Sequence, residues 1–209
     1  MNQGHDPRGG LVCIVDDEEL VRESLKLLVE SQGVDVRAYG SCLDFLEDPE
    51  SARCACLILD VRLPGMSGLQ LQQRLSQRRW VPAIIMMSGH ADVPMAVQAM
   101  RDGALDFLQK PFPEQVLLDR VSQALDMAAE RQRTRVQSAV FEARRATLTA
   151  REREVMDKIV AGLPNKLTAD ELRISIKTVE QHRAKVMEKM RVSSVAELVK
   201  VSEHLQRGE

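Results

Sequence analysis

Acidic residues follow two apolar runs of the sequence that have the composition of buried strands. Asp16 and Asp17 come directly after LVCIV, and Asp60 ends the run CLILD. A carboxylate at the end of a buried strand must reach water or find a partner, because an unpaired buried charge is costly. Ser88 and Lys110 stand at the ends of two later apolar runs. These five side chains are the first candidates for chemistry.

The elements that would position these groups alternate along the first 120 or so residues. Apolar runs typical of strands are separated by segments with helical spacing, such as Val21, Leu25 and Leu28. Such alternation predicts five βα units and a parallel sheet that is covered by helices on both faces. The predicted strands are residues 11–17, 34–39, 55–61, 83–89 and 105–111.

The carboxyl ends of parallel strands meet at one edge of an open α/β sheet. Three carboxylates gathered there would repel one another unless a cation lay among them, and Mg²⁺ is the ion that such oxygen ligands prefer. A carboxylate beside Mg²⁺ and a lysine can attack a phosphoryl group, so Asp60 is the candidate nucleophile. An isolated acidic pair after a strand is more often a solvated turn or helix start. The combination at successive strand ends is far more specific.

Composition gives an ordinary globular chain of 209 residues with 44% hydrophobic content, enough for one large domain or two smaller ones. No apolar run approaches the roughly 20 residues that span a bilayer, and the N-terminus lacks a signal-peptide pattern, so we expect a cytoplasmic protein without a membrane partner. The cysteines form no CxxC pair and are predicted to be reduced. They are Cys13, Cys42, Cys54 and Cys56.

Charge is distributed unevenly along the chain, although the total is only -2. Residues 1–129 carry a net charge of -7, residues 130–147 carry +3, and residues 148–209 carry +2. This asymmetry suits an N-terminal part that handles a cation and a C-terminal part that approaches an anion, although charge alone is weak evidence.

The C-terminal part is predicted to form a long helical segment followed by short helices. A helix can start at Pro113, and the charged residues 129–147 are predicted to form a helical linker. Thr149 and Glu152 have the spacing of a capping box, which marks the start of a second domain. Four helices with short turns, two of them capped by Asn165 and Ser175, predict a helix-turn-helix. Their ranges are 150–161, 166–172, 176–190 and 195–205.

The helix predicted over 176–190 has two faces at 100° per residue. Val179, Val186 and Met190 line an apolar face, and the opposite face carries Lys177, Gln181, Ala184, Lys185 and Glu188. Lysine can neutralise a phosphate, glutamine can bond adenine, Glu180 on the flank can accept from cytosine, and alanine permits close approach to a groove. A mixed-charge helix face is usually only solvated, so these charges alone do not show that the helix binds nucleic acid.

Residues 11–128 resemble a response-regulator receiver domain, and GHADVPMAVQAMRDGALDFLQKPF is especially similar to the FixJ-type branch. The resemblance implies a flavodoxin-like (βα)5 fold with Asp60 as phosphoacceptor. It implies that Mg²⁺ is held by Asp16, Asp17, Asp60 and the backbone carbonyl of Arg62. It further implies that Lys110 contacts the phosphoryl group, that Ser88 and Phe107 are switch residues, and that the Lys110–Pro111 bond is cis.

Residues 148–200 resemble the LuxR/NarL-type helix-turn-helix on LTAREREVMDKIVAGLPNK, TVEQHRAKVMEKM and SSVAELV. The resemblance makes 176–190 the recognition helix. Two departures stand out: Leu167-Thr168, where the family usually has a polar residue and then Ile, and Arg173, where Gly is frequent. Arg173 is expected to strain the turn, and Thr168 leaves a hydroxyl to satisfy. The predicted DNA contacts are Lys166, Lys177, Thr178, Glu180, Gln181, Arg183, Ala184 and Lys185.

Together these resemblances imply a transcriptional response regulator in four segments: a tail (1–10), a receiver (11–128), a helical linker (129–147) and a four-helix, all-α DNA-binding domain (148–209). The implied partners are a sensor histidine kinase, promoter DNA, a second copy of the chain upon phosphorylation, and RNA polymerase as a further candidate. No enzymatic activity is expected beyond autophosphorylation from a phosphodonor and slow autodephosphorylation.

Two other classes stay open on the residues alone. A stand-alone phosphatase also uses an aspartate nucleophile with Mg²⁺, but its DxD pattern lies at the first strand, whereas Asp16 and Asp17 are adjacent and Asp60 is on the third. A phosphorylation-independent DNA-binding or interaction protein would use the receiver only for dimerisation. Unchanged dimerisation and DNA binding in an Asp60→Asn variant would identify that second class.

Overall fold

The computed structural model describes residues 10–78, 81–90 and 93–206. The predicted tail lies outside these residues except for Gly10. The chain divides into two compact units between Arg131 and Gln132. No helix in these three described stretches is long and apolar enough to cross a membrane.

The N-terminal unit is built on a five-stranded parallel sheet with strand order β2-β1-β3-β4-β5. The strands are β1 (Leu11–Val15), β2 (Val36–Tyr39), β3 (Cys54–Asp60), β4 (Ala83–Ser88) and β5 (Asp106–Gln109). β1 and β3 are buried along their whole length because helices cover both faces of the sheet. The strand order reverses beside β1 and β3, which places the ends of these two strands at the switch point of the sheet.

The predicted parallel α/β architecture is confirmed. At their carboxyl ends β1, β3, β4 and β5 are one or two residues shorter than predicted, whereas β2 ends at Tyr39 as predicted. Asp16, Asp17 and Lys110 therefore follow the strands and do not belong to them, whereas Asp60 and Ser88 are the last residues of β3 and β4. These five residues thus lie at the carboxyl ends of their strands or one or two residues beyond them.

Four helices belong to the N-terminal unit, and the fifth extends past the boundary at Arg131. They are α1 (Glu19–Glu30), α2 (Cys42–Glu47), α3 (Gly68–Ser76), α4 (Val93–Arg101) and α5 (Glu114–Ala146). The long α5 includes most of the predicted helical linker. Two apolar cores lie on the two faces of the sheet, and the cysteines are buried free thiols within them.

The C-terminal unit consists of α6 (Ala150–Val160), α7 (Asn165–Leu172), α8 (Ile176–Met190) and α9 (Val195–Gln206). The Thr149–Glu152 capping box and the Ser175 cap are present. The predicted Asn165 cap is wrong: Pro164 occupies the cap position without a side-chain bond, and the Asn165 amide oxygen accepts from Arg183 Nη1 at 2.9 Å. The Asn165 side chain therefore bonds to Arg183 on α8 and does not cap α7.

Candidate functional site

Lys110 joins two buried carboxylates at the carboxyl edge of the sheet. Its Nζ donates to Asp16 Oδ2 at 2.6 Å and to Asp60 Oδ1 at 2.8 Å. The side chain of Asp16 is 1% exposed and that of Asp60 is 9% exposed. Because β1 and β3 are neighbours and β5 ends at the same edge, three residues up to 94 positions apart meet here. The sheet topology thus assembles the predicted nucleophile with its predicted lysine.

Backbone amides hold the remaining carboxylate oxygens. Asp60 Oδ2 accepts from the amide of Arg62 at 2.7 Å, and Asp16 Oδ1 accepts from the amide of Glu18 at 3.0 Å. Sequence reasoning assigned only the carbonyl of Arg62 to the site and missed its amide, for which residue identity carries no signal. Each buried carboxylate therefore has an amide for one oxygen and the ammonium for the other, which satisfies the rule that buried charges are paired.

The surroundings of Lys110 stabilise the charged form of its ammonium group. Partial burial disfavours its charged form, but the hydrogen bonds and negative charges of Asp16 and Asp60 outweigh this and raise the pKa of Lys110. Lys110 is therefore positively charged at neutral pH and can neutralise an anion that approaches Asp60. The peptide bond between Lys110 and Pro111 is cis.

A magnesium ion fits the chemistry of these donors. Within the residues that the structure describes, no three His, Cys, Asp or Glu side chains are already arranged around a metal position. Mg²⁺ does not need such a cage, since it usually takes one or two carboxylates and completes its shell with water. Asp16 and Asp60 lie within reach of one ammonium, and exposed Asp17 stands at the same edge. This donor set suits a hard, hydrated cation.

Gly68 is a site residue that sequence reasoning missed. Its amide donates to the carbonyl of Val61 at 3.0 Å, and a Cβ at this position would lie 2.2 Å from the backbone oxygen of Asp60. α3 can therefore pack against the end of β3 only with glycine at its first residue. Glycine inside the first turn of a helix, directly after the Ser67 cap, was the available signal.

The two predicted switch residues lie on the two strands that follow β3 in the sheet, Ser88 on the neighbouring β4 and Phe107 on β5 beyond it. Ser88 ends β4 with its side chain buried, and its hydroxyl accepts from the amide of His90 at 3.3 Å. Asp60 pairs with Met87 in the sheet, so Ser88 is one position beyond the residue opposite Asp60. Phe107 on β5 is half-buried against the core. Ser88 is thus on the strand next to Asp60 and Phe107 is one strand farther away, and among the described residues neither has a hydrogen bond to Asp60.

The predicted recognition helix α8 has the two faces that periodicity indicated. Val179, Val186 and Met190 are buried in the core of the C-terminal unit. Thr178 and Arg183 are half-buried at the margins. The exposed positions among the predicted contacts are Lys166 on α7 together with Lys177, Glu180, Gln181, Ala184 and Lys185 on α8. These side chains form one accessible polar surface of the C-terminal unit.

Glu152 and Lys189 tie the start of α6 to the end of α8. Glu152 is 3% exposed, accepts from the Thr149 amide, and lies 2.6 Å from Lys189 Nζ. The bond from Lys189, followed by that from Thr149, lowers the pKa of Glu152 to about 2. The capping-box glutamate thus also fixes a helix that is distant in sequence.

Two family descriptions match separate parts of the chain. The family described as "Response regulator receiver domain" matches residues 12–122, and that described as "Bacterial regulatory proteins, luxR family" matches residues 146–202. Both matches lie where the sequence resembled these families.

Similar proteins extend over nearly the whole chain. The response regulator protein TmoT of Ectopseudomonas mendocina is 44% identical, covering 93% of this chain and 89% of that relative. The transcriptional regulatory protein FixJ of Azorhizobium caulinodans is 43% identical, covering 91% and 90% of the two chains. The solved structure of the response regulator StyR has a TM-score of 0.80 at 41% identity, covering 93% of this chain and 98% of the other.

Proposed function

Because the chain belongs to the response regulators that join a receiver to a LuxR-type DNA-binding domain, we propose that phosphorylation of Asp60 controls its dimerisation and promoter binding. The chain is a transcriptional response regulator and not a classical enzyme. The receiver implies a sensor histidine kinase as partner, and the LuxR-type domain implies DNA. Action in the cytoplasm stays a prediction.

The proposed chemistry is phosphoryl transfer to the Asp60 carboxylate. A carboxylate oxygen attacks phosphorus on the kinase phosphohistidine, the P–N bond breaks, and its electron pair returns to the departing imidazole. Lys110 supports this step because its ammonium lies 2.8 Å from Asp60 Oδ1, where it can stabilise the negative charge on the phosphoryl oxygens during transfer. This contact is the single observation that carries the proposal.

Four groups would hold magnesium: the carboxylates of Asp16, Asp17 and Asp60, and the backbone carbonyl of Arg62. When bound, Mg²⁺ supplies positive charge that stabilises the transferring phosphoryl group. The chain's own contribution is the orientation of Asp60 by the Arg62 amide at 2.7 Å and the positive charge of Lys110. The same site would perform autophosphorylation from a small phosphodonor and slow autodephosphorylation.

The proposed switch acts through Ser88 and Phe107. After phosphorylation, the Ser88 hydroxyl turns toward the phosphoryl group and Phe107 turns inward, which remodels α4 and β5. Val93, Val97 and Met100 on α4 are 75%, 43% and 46% exposed, an apolar stripe at helical spacing. Pairing of the α4 and β5 surfaces of two chains would cover this stripe.

Dimerisation would then strengthen DNA binding. One C-terminal domain carries little net charge, so a single copy binds duplex DNA weakly, whereas two linked copies combine their affinities. The exposed face of α8 would enter the major groove at half-sites about one helical turn apart. Contact with RNA polymerase is the further interaction proposed for the bound dimer.

The test combines intact mass with molar mass in solution, before and after incubation with Mg²⁺ and acetyl phosphate. We expect one added phosphoryl group and a monomer-to-dimer shift in the wild type, and neither change in Asp60→Asn. Asp119→Asn is the matched control because Asp119 is exposed on α5 and accepts a local hydrogen bond from Gln115 Nε2 at 2.8 Å. A wild type that gains a phosphoryl group but keeps the molar mass of Asp60→Asn would contradict the proposal. No adduct on a folded wild type would indicate strict dependence on the kinase or a phosphorylation-independent regulator.

A second function is favoured by the same α4 stripe. Val93, Val97 and Met100 are exposed in the unmodified chain, so dimerisation could proceed without phosphorylation. The chain would then be a phosphorylation-independent DNA-binding regulator that uses the receiver only to dimerise. Unchanged dimerisation and DNA binding in Asp60→Asn would support this alternative.

A further inference from the structure

The end of α5 is built into the core of the C-terminal unit. Phe141 is 7% exposed and belongs to the same apolar cluster as Val155, Val179 and Val186. Leu148, just beyond α5, is 2% exposed in that cluster. Phe141 precedes residue 146, where the luxR-family match begins. The apolar core that contains the buried face of α8 therefore includes Phe141, which lies outside the segment that matches the luxR family.

Arg144, three residues after Phe141, contacts the last residue of the predicted recognition helix. Its Nη1 donates to the carbonyl of Met190 at 3.0 Å. The final carbonyls of a helix lack partners within the helix, and a cation there also complements the helix dipole. Bonds from the Ser193 amide and hydroxyl, together with the charge of Arg144, lower the pKa of Glu197 on α9. The geometric contact of Arg144 is therefore with the end of α8, and its charge has a smaller electrostatic effect on α9.

A second contact runs in the opposite direction between the same two segments. Lys189, on the last turn of α8, donates to the carbonyl of Thr147 at 3.3 Å and to Glu152 Oε2 at 2.6 Å. Arg144 reaches from the end of α5 to α8, and Lys189 reaches from α8 back to the residues that follow α5. Two bonds with opposite donors restrict both the position and the rotation of the α8 terminus.

We propose that Arg144 is a positioning residue for DNA recognition, holding the C-terminal end of α8 so that its exposed polar face keeps a fixed orientation. This inference rests on the proposed role of α8 as the recognition helix. Side chains that read base edges must be held closely by the residues behind them, since a small displacement of the helix loses several contacts together. Arg144 acts through α8 and does not itself touch the DNA.

Arg145 is the matched control. It is the next residue, carries the same charge, and forms its ion pair within α5, with Glu142 at 3.8 Å. Replacing either arginine by glutamine removes one positive charge from the same helix end. Only the Arg144→Gln change removes the bond to the Met190 carbonyl.

The experiment uses the full chain after incubation with acetyl phosphate and a duplex that the wild type has enriched from a random-sequence pool. Dissociation constants of wild type, Arg144→Gln, Arg144→Lys and Arg145→Gln are measured between roughly 50 and 200 mM KCl. We expect Arg144→Gln to bind about tenfold more weakly and Arg145→Gln about as tightly as wild type, with partial recovery in Arg144→Lys. The salt dependence of Arg144→Gln should equal that of wild type, because no phosphate contact is lost.

Three outcomes overturn the inference. Equal losses in Arg144→Gln and Arg145→Gln would show a general effect of charge. A salt slope that falls by about one would show that Arg144 binds a phosphate directly. The third outcome is that the dissociation constant of Arg144→Gln equals the wild-type value once it is corrected for the folded fraction, as measured by circular dichroism. Arg144 would then have a purely structural role. Failure of the wild type to enrich any duplex is distinct from these, since it overturns the proposed function itself.

Discussion

Lys189 Nζ lies 2.6 Å from Oε2 of Glu152, a carboxylate that is 3% exposed, and this pair joins the end of α8 to the start of α6. The folded-state pKa of Glu152 is about 2, below the usual value of 4.5. The unfolded chain therefore takes up a proton more readily. The resulting stability is fully present above about pH 4.5 and is lost as the pH falls toward 2.

The pH prediction is tested by urea unfolding of the full chain between pH 5 and pH 2. We expect the free energy of unfolding of the C-terminal unit to fall with pH in the wild type and to fall less in Glu152→Gln, which has no carboxylate to protonate. Glu154→Gln is the control, since Glu154 is a half-exposed partner of Arg151 on the same helix. Identical pH profiles for wild type and Glu152→Gln would contradict the assignment.

Removal of the Lys110 ammonium should destabilise the receiver and make its stability depend more strongly on magnesium. In Lys110→Met, the carboxylates of Asp16 and Asp60 lose their shared counter-ion, and the free energy of unfolding should fall by about 1 to 3 kcal/mol. Added Mg²⁺ should raise the unfolding midpoint of this variant more than that of wild type. Thermal unfolding with and without Mg²⁺ measures both effects.

Lys26→Met serves as the control for the Lys110 variant, because it removes a lysine of α1 that takes no part in the site. It should leave the magnesium response at the wild-type value. An equal magnesium response in all three proteins would show that the ammonium and the metal do not share the carboxylates.

A methyl group at Gly68 should displace the backbone of Asp60 and so disturb the phosphorylation site. In Gly68→Ala the new Cβ would lie 2.2 Å from the Asp60 backbone oxygen, so α3 or the end of β3 must move. Such overpacking costs about 1 to 3 kcal/mol of receiver stability and should slow phosphorylation by acetyl phosphate. Gly89→Ala is the comparison, because a Cβ there meets none of the described residues within 4 Å. Equal rates and midpoints for the two variants would refute the steric argument.

The α7 terminus offers a stabilising substitution. Arg173 has φ 53° and ψ 47°, the left-handed conformation that favours glycine. Arg173→Gly should raise the free energy of unfolding of the C-terminal unit by about 0.5 to 1 kcal/mol, as measured by urea unfolding. Asp157→Gly, within α6, should have the opposite sign. A loss of stability in Arg173→Gly would mean that arginine side-chain contacts outweigh the backbone strain.

Local patterns predicted much of the fold. Alternation of apolar runs and helical spacing was sufficient for the parallel sheet, and the Thr149–Glu152 box located the start of α6. Patterns of this kind depend on neighbouring residues, which the sequence displays directly. The Asn165 cap failed because Arg183, 18 residues away, takes the amide oxygen that the local pattern assigned to the helix start.

The sequence by itself determined which residues could carry chemistry, because charged and hydroxyl groups at the ends of apolar runs are recognisable without coordinates. Only the tertiary structure decided which residues meet: that Lys110 spans Asp16 and Asp60, that Gly68 lies against the Asp60 backbone, and that Arg144 donates to the Met190 carbonyl at the end of α8. The physical reason is that these contacts join different elements: Lys110 and Arg144 reach partners 46 to 94 positions away, and Gly68 meets Asp60 across the loop between β3 and α3. Their distances follow from how strands and helices pack, which no local spacing encodes.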